Sequence, residues 1–242
     1  MFLKDGIRIN KYVKDCGIAS RREADQLVEE GRVLINGKVA LPGSMVKEND
    51  LVTVDGNTIC LTKEKHIVAF YKPLGVTCTK KDAHAQTTID DVFIYPYPLT
   101  YAGRLDKDSE GLLILTDDGD LIDAMMRSRY GHEKEYEVTF AKELTQDFIE
   151  RFSEGVFLPE LETVTKPCLI GKLDKKKATV ILTQGLNRQI RRMGKVLGNE
   201  VVSIKRIRVV NIKLKELNPG EYRELSPKER DDLYRFVKGE KD

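Results

Sequence analysis

Ala102-Gly103-Arg104-Leu105-Asp106-Lys107-Asp108-Ser109-Glu110-Gly111 sets an arginine and an aspartate two residues apart between glycines. It runs directly into the apolar stretch Leu112-Leu113-Ile114-Leu115-Thr116, whose character is that of a buried strand. A carboxylate at the mouth of a strand is well placed to act as a nucleophile or a general base, and an arginine beside it can bind phosphate or fill the space of a displaced base. By itself the stretch also fits a solvated, charged turn. Its meaning depends on what the rest of the chain brings to it.

Composition narrows the classes. In 242 residues, charged side chains make up 33% and hydrophobic ones 40%, the balance of a water-soluble globular chain. No run approaches the roughly 18 apolar residues of a membrane span, and the first residues lack the apolar core of a secretion signal. Cys16, Cys60, Cys78 and Cys168 show no paired spacing, and His66, His84 and His132 share no ligand spacing. Scattered thiols of this kind fit a reducing cytosol and give no sign of a structural metal. The expectation is a cytoplasmic protein without membrane segments.

The net charge of +2 conceals two basic zones. Lys4, Arg8, Lys11, Lys14, Arg21 and Arg22 face only Asp5 and Asp15 in the first 22 residues. Between 185 and 215, Arg188, Arg191, Arg192, Lys195, Lys205, Arg206, Arg208, Lys213 and Lys215 stand against Glu200 alone. Segregated basic zones on a nearly neutral chain point to a polyanion held along defined surfaces.

In chain order, residues 7–16 carry apolar side chains at helical spacing and end at Gly17. Ser20 and Glu23 then form a capping box for a second helix, Arg21 to Glu30. Asn36-Gly37 between apolar runs signals a hairpin. Asn57 to Lys65 is polar and thinly patterned, a linker. His66 to Tyr71 is a short buried-type strand closed by Lys72-Pro73-Leu74-Gly75, and 76–95 has the composition of a surface excursion of low functional content. Asp120 to Arg129 forms a helix whose methionines belong to the core. Lys134 to Phe140 alternates at period two, with Tyr136, Val138 and Phe140 on one face. Leu144 to Phe152 is helical, and Cys168–Ile170 pairs with Thr179–Thr183 as a hairpin. Asn187 caps a helix bearing Arg188, Arg191, Arg192 and Lys195 at spacings of three and four, a gathering of like charge that requires something negative against it. Basic strands follow over Val201–Leu214, and Ser226-Pro227-Lys228-Glu229 opens a last helix.

Two resemblances tie these marks together. Ile9-Asn10-Lys11-Tyr12, Gly17, Ser20-Arg21-Arg22-Glu23-Ala24-Asp25 and Gly31-Arg32-Val33-Leu34-Ile35-Asn36-Gly37 are similar to the S-four-like RNA-binding module. That likeness implies that Arg8, Lys11, Lys14, Arg21 and Arg22 rest on RNA phosphates. Lys72-Pro73-Leu74-Gly75, Gly103-Arg104-Leu105-Asp106, Lys134-Glu135-Tyr136 and Gln189-Ile190-Arg191-Arg192-Met193 resemble, in that order, the RsuA-type ribosomal pseudouridine synthases, nearest the RluF branch.

The family likeness implies an α+β chain. A small S-four-like module would fill 1–60, a linker 61–66, and a pseudouridine synthase domain 67–242 with a mixed, largely antiparallel sheet flanked by helices. It implies a cofactor-free isomerisation in which uracil leaves its ribose, turns and rejoins through carbon 5. Asp106 would act at the sugar, either attacking it or removing a ribose proton, with Arg191 holding that carboxylate charged. Tyr136 would lie against the uracil and Ile190 beneath it, and Arg104 would fill the stack vacated by base flipping. Lys72 would support the pocket edge, with Arg188 and Arg192 on the substrate. The implied partner is ribosomal RNA, of the large subunit first, with small-subunit RNA, another large-subunit position or a transfer-RNA anticodon uridine as alternative targets, and the chain would act as a monomer. A reading from a different class is a non-catalytic RNA-binding ribosome-assembly factor, which leaves Asp106, Tyr136 and Arg191 without purpose.

Overall fold

The computed structural model describes residues 6–61, 65–79, 87–127 and 131–239. The chain divides into two compact units. The first comprises Met1–His66 with Pro96–Leu99 and Asp117–Gly119, and the second comprises Ile67–Tyr95, Thr100–Thr116 and Asp120–Asp242. The two short stretches in the first unit fall beyond the expected boundary at 60. His66 brings them in: its amide donates to Asp117 Oδ1 at 3.0 Å and its ring stacks on Tyr97 at 4.5 Å.

The first unit runs β1 (Ile7–Arg8), α1 (Ile9–Asp15), α2 (Arg21–Glu29), β2 (Val33–Ile35), β3 (Lys38–Val39), β4 (Met45–Val46), β5 (Val52–Val54) and β6 (Asn57–Ile59). The Ser20–Glu23 capping box forms with both of its hydrogen bonds. Ile9, Tyr12 and Val13 of α1 and Ala24 and Val28 of α2 turn inward, where they meet Val33, Val46 and Val52 in one core. Strand order is β3-β2-β5-β6, and Asn36-Gly37 makes the β2–β3 turn. The linker expected over Asn57–Lys65 is corrected at its start: Asn57–Ile59 pairs with β5, because Asp55-Gly56 supplies a second tight turn and Ile59 completes the core. Residues 62–64 lie outside the described residues.

The second unit continues with β7 (Ile67–Lys72), α3 (Ile89–Val92), β8 (Thr100–Tyr101), β9 (Glu110–Thr116), α4 (Gly119–Met126), β10 (Lys134–Phe140), α5 (Gln146–Glu154), β11 (Phe157–Leu158), β12 (Thr163–Val164), β13 (Leu169–Lys172), β14 (Lys177–Leu182), α6 (Gln189–Val196), β15 (Val201–Val209), β16 (Ile212–Lys213), β17 (Tyr222–Glu224) and α7 (Pro227–Lys238). The main sheet has the order β13-β14-β10-β15-β9-β7-β17, antiparallel throughout except for the parallel β15–β9 pair. This is the mixed, largely antiparallel sheet the sequence led one to expect. The central strands β7 and β9 are apolar on both faces and buried on both, which is why neither alternates. β14, next to the edge strand β13, does alternate.

Three local expectations change. The segment 76–95 is more than a surface excursion: Val76, Cys78 and Ile89 are buried and Ile89–Val92 is helical, while residues 80–86 lie outside the described residues. The helix expected from Leu144 starts at Gln146, because Thr145 caps it through the Phe148 amide. Asn187 does not cap α6. Arg188 does, in the left-handed region at φ 49°, and Gln189 Oε1 accepts from the Leu186 amide to brace the turn.

The parallel pairing of β15 with β9 dictates the glycine at 111. Its φ is +106°, and a Cβ there would lie 2.4 Å from the Arg206 carbonyl oxygen and 2.7 Å from the Arg206 nitrogen. Gly103, at the other end of the same loop, has φ +86° but faces only the Met126 sulfur at 3.2 Å. Gly111→Ala is therefore expected to cost about 3–5 kcal/mol, because backbone must separate from backbone, and Gly103→Ala about 1–2 kcal/mol from strain at positive φ. Thermal unfolding followed by circular dichroism checks the ranking; equal losses would refute the close-approach explanation.

Candidate active site

Asp106 lies on the loop between Gly103 and Gly111, at the wall of a cavity of about 510 Å³ within the second unit. The opposite wall is the face of the sheet. Tyr136 and Lys134 come from β10, Ile204 and Arg206 from β15, and Leu182 from β14. Ile190 of α6 is 4% exposed and adds an apolar wall, while exposed Arg104 stands at the rim. Asp106, Tyr136, Ile190, Arg104 and Arg188, which are far apart in sequence, therefore converge on one cavity. Lys72, Arg191 and Arg192 do not line it.

Those three act behind the wall or away from it. Lys72 is fully buried and its ammonium donates to the carbonyls of Ser109 (2.7 Å) and Pro73 (2.8 Å); burial pulls its pKa down. Arg191 was expected beside Asp106, but its carboxylate partner is Asp108: Nε lies 3.2 Å from Oδ2, and Nη2 donates to the Asp108 carbonyl. Asp106 makes no ion pair within 4 Å among the described residues. Asp108, which the sequence presented as a turn residue, also takes a bidentate pair from Arg188 at 2.6 and 2.9 Å. That pair, reinforced by Arg191, holds its carboxyl below the ordinary range. Arg192 pairs with Glu160, and Lys195 lies 3.6 Å from the same carboxylate. The negative groups that the basic helix demanded are thus supplied by the protein itself.

Arg206 and Lys134 carry no assigned role in the sequence reading, yet both face the cavity. Arg206 is 3% exposed, donates through Nε to the Leu112 carbonyl (2.7 Å) and reaches the Arg104 carbonyl at 3.4 Å. Its orientation depends on a register shift. Glu135 pairs with Arg208, but Tyr136 pairs with Arg206, so Ile207 is the extra residue of a bulge. The bulge reverses alternation: Arg206 shares the cavity face with Tyr136, while Arg208 turns to Glu135 (2.7 Å) and Glu133 (3.0 Å) on the other side. A strict period-two reading of Lys205-Arg206-Ile207-Arg208 puts both arginines on one face, so the sequence hides this. Lys134 was visible, two residues before Tyr136 and hence on its face. Met125 and Met126 also line the cavity, so the helix methionines are not core alone.

In the first unit Arg8, Arg21 and Arg22 are exposed and Lys11 and Lys14 half-buried, with Lys14 3.6 Å from Asp15. Among the described residues no His, Cys, Asp and Glu cluster could hold a metal, and no helix is long and apolar enough to cross a membrane.

Comparison with known proteins agrees with this geometry. The family model for RNA pseudouridylate synthases matches residues 66–195, and that of the S4 domain matches 7–52. The dual-specificity RNA pseudouridine synthase RluF of Escherichia coli K12 is 41% identical over 98% of this chain and 81% of its own. The ribosomal large subunit pseudouridine synthase B of Bacillus subtilis is 34% identical over 92% of this chain and 93% of its own. A crystal structure of a pseudouridylate synthase superposes with a TM-score of 0.68 at 29% identity, covering 94% of this chain and all of the other. The cavity, the order of its residues and these matches agree: the chain belongs to the RNA pseudouridylate synthase family, isomerases that here carry an S4 domain ahead of the catalytic fold.

Proposed function

We propose that this chain converts a uridine of large-subunit ribosomal RNA to pseudouridine in the cytoplasm, working as a monomer, with transfer RNA as a second target. The observation that carries the reading is the convergence of Asp106, Tyr136 and Ile190 on one cavity in a chain 41% identical to RluF over 98% of its length. The word dual-specificity in that relative's name supports more than one RNA target.

In this reading Asp106 does the bond change at the sugar, Tyr136 lies against the uracil, Ile190 supports it, and Arg104 enters the vacated stack. Arg191 acts through Asp108, fixing the loop that presents Asp106, and Lys72 does the same through Ser109. Arg188 and Arg192 flank the entry of the RNA. Residues 1–60 dock RNA through Arg8, Lys11, Lys14, Arg21 and Arg22, joined by the linker 61–66 to the catalytic domain 67–242. The reaction needs no cofactor.

Asp106→Asn should abolish pseudouridine formation on transcribed 23S ribosomal RNA while leaving the melting temperature unchanged; conversion at the wild-type rate removes the assignment. Arg191→Met should slow turnover by about 100-fold with RNA affinity within about threefold, as expected when a group orients the reacting loop without touching substrate. Equal losses in rate and affinity would make it a phosphate contact instead.

Asp108 supplies a pH test. Its folded pKa lies below the unfolded value near 3.9, so its contribution to stability is complete above about pH 4 and is lost as pH falls through the lowered value. The melting temperature of wild type should exceed that of Asp108→Asn at neutral pH, and the two should merge in strong acid. A gap that persists there would mean that the carboxylate is not what stabilises the loop.

Replacing Arg8, Arg21 and Arg22 together by glutamine should weaken RNA binding and lower the slope of log affinity on log salt by roughly 2–3. An unchanged slope would remove these arginines from the RNA surface.

A further inference from the structure

Of the basic side chains lining the cavity, Arg104, Lys107 and Arg127 are exposed to water, while several in and behind its wall are matched by acids. Arg188 and Arg191 have Asp108, Arg192 and Lys195 have Glu160, and Arg208 has Glu133 and Glu135. Lys134 and Arg206 are different. Both lie on the sheet face that walls the cavity, on either side of Tyr136, with apolar Leu182 and Ile204 beside them. Among the described residues neither has a carboxylate within 4 Å. Lys134 donates to the His132 carbonyl at a long 3.3 Å, and Arg206 Nη2 is buried with no hydrogen-bond partner among the described residues. The two cations also repel: burial first, and then the Arg206 charge, push the Lys134 ammonium down to about 8.

Two covered cations without a counter-ion cost stability, and a chain retains them where an anion comes to lie between them. Asp106 is the one carboxylate among the described residues lining the cavity, and it stands on the opposite loop.

The isomerisation supplies a transient anion. When the bond from the ribose anomeric carbon to uracil N1 breaks, the electron pair leaves with N1 and the negative charge spreads onto the two ring carbonyl oxygens. This holds whether Asp106 adds to the anomeric carbon or removes a ribose proton. The ring then bonds through C5, the C5 proton passes to solvent while N1 takes up a proton in exchange, and the sugar recovers its original state, so no co-reactant is consumed.

We propose that Lys134 and Arg206 form a cation pair that holds the detached uracil anion, with Lys134 Nζ and Arg206 Nη2 donating to its carbonyl oxygens. The inference rests on the pseudouridine synthase reading of Asp106 and its cavity. It makes Lys134 and Arg206 catalytic residues for the leaving base, and Arg206 is also a positioning residue through its bonds to the Arg104 and Leu112 carbonyls.

The test uses the full chain and 23S ribosomal RNA transcripts, with single-turnover release of tritium from C5 and RNA affinity measured side by side. Lys134 is the cleaner position, since it braces no loop. Lys134→Met should slow the reaction about 100-fold or more with affinity within about threefold, and Lys134→Arg should recover to within about tenfold of wild type. Lys134→Met should melt no lower than wild type, because it removes a half-buried charge that has no counter-ion among the described residues.

The pH profile adds an independent reading. Lys134 shares the cavity with Arg206 from β15, Tyr136 from its own strand, His132 just ahead of that strand, uncharged Leu182 from β14, Arg127 after α4, Arg188 before α6, Cys78, and Asp106, Lys107 and Arg104 from the loop across the cavity. Wild-type kcat/KM should fall above about pH 8 as the ammonium is lost, and Lys134→Arg should abolish that fall. Lys134→Met at the wild-type rate overturns the inference. So does an equal loss of rate and affinity with a shallower salt slope, which would assign Lys134 to an RNA phosphate. A wild-type chain that forms no pseudouridine instead removes the reading beneath it, a separate and recognisable failure.

Discussion

Three buried or half-buried cations donate hydrogen bonds to the backbone carbonyls of one loop, and the site depends on them. Lys72 takes the carbonyl of Ser109, Arg191 that of Asp108, and Arg206 those of Leu112 and, at longer range, Arg104. The Gly75 amide adds the Lys107 carbonyl, and the Ser109 amide closes on the Asp106 carbonyl. A loop of this length left to water would sample many conformations, and each ordered residue costs about 1–2 kcal/mol of backbone entropy. Charge-assisted bonds from side chains rooted in β7, α6 and β15 offset that cost and fix where the Asp106 carboxylate stands. Because the cations bind carbonyls and Asp108, the Asp106 carboxylate is left without an ion pair among the described residues, as the proposed bond change requires.

This arrangement divides the basic residues by task. Net charge alone groups Arg188 to Lys215 into one RNA-binding zone. The structure separates an ion-paired helix face, held by Asp108 and Glu160, from a sheet face where Lys134 and Arg206 have no acid within 4 Å among the described residues. Positive charge that is matched within the protein contributes chiefly to shape. Unmatched covered charge signals a ligand, and the two kinds look identical in a count of lysines and arginines.

Much of the fold was legible because it is written in local chemistry. Ser20 with Glu23, and Ser226 with Pro227 and Glu229, mark helix starts within four residues, and both formed. The period-two pattern of Lys134–Phe140 placed Tyr136 on the correct face. What escaped depends on distant partners. The cap at Arg188 rather than Asn187 is a backbone conformation stabilised through Gln189, and the strand at Asn57–Ile59 needs β5 beside it. The pairing of Arg191 with Asp108 rather than Asp106 turns on a two-residue difference along a loop whose course is set by contacts from elsewhere in the fold.

The bulge at Ile207 shows how a single inserted residue decides which side chain faces the cavity. Without it, continuous alternation would place Ile207 opposite Tyr136 and turn Arg206 to the far face, where Glu133 and Glu135 already stand. The Arg104 and Leu112 carbonyls would then lose their donor. The bulge also coincides with the point where β15 pairs with Gly111, so the irregularity in one strand and the obligatory glycine in its neighbour are parts of one contact. Sheet geometry and loop geometry are therefore not independent here: the residue that faces the cavity from the sheet is the same one that holds both ends of the loop carrying Asp106.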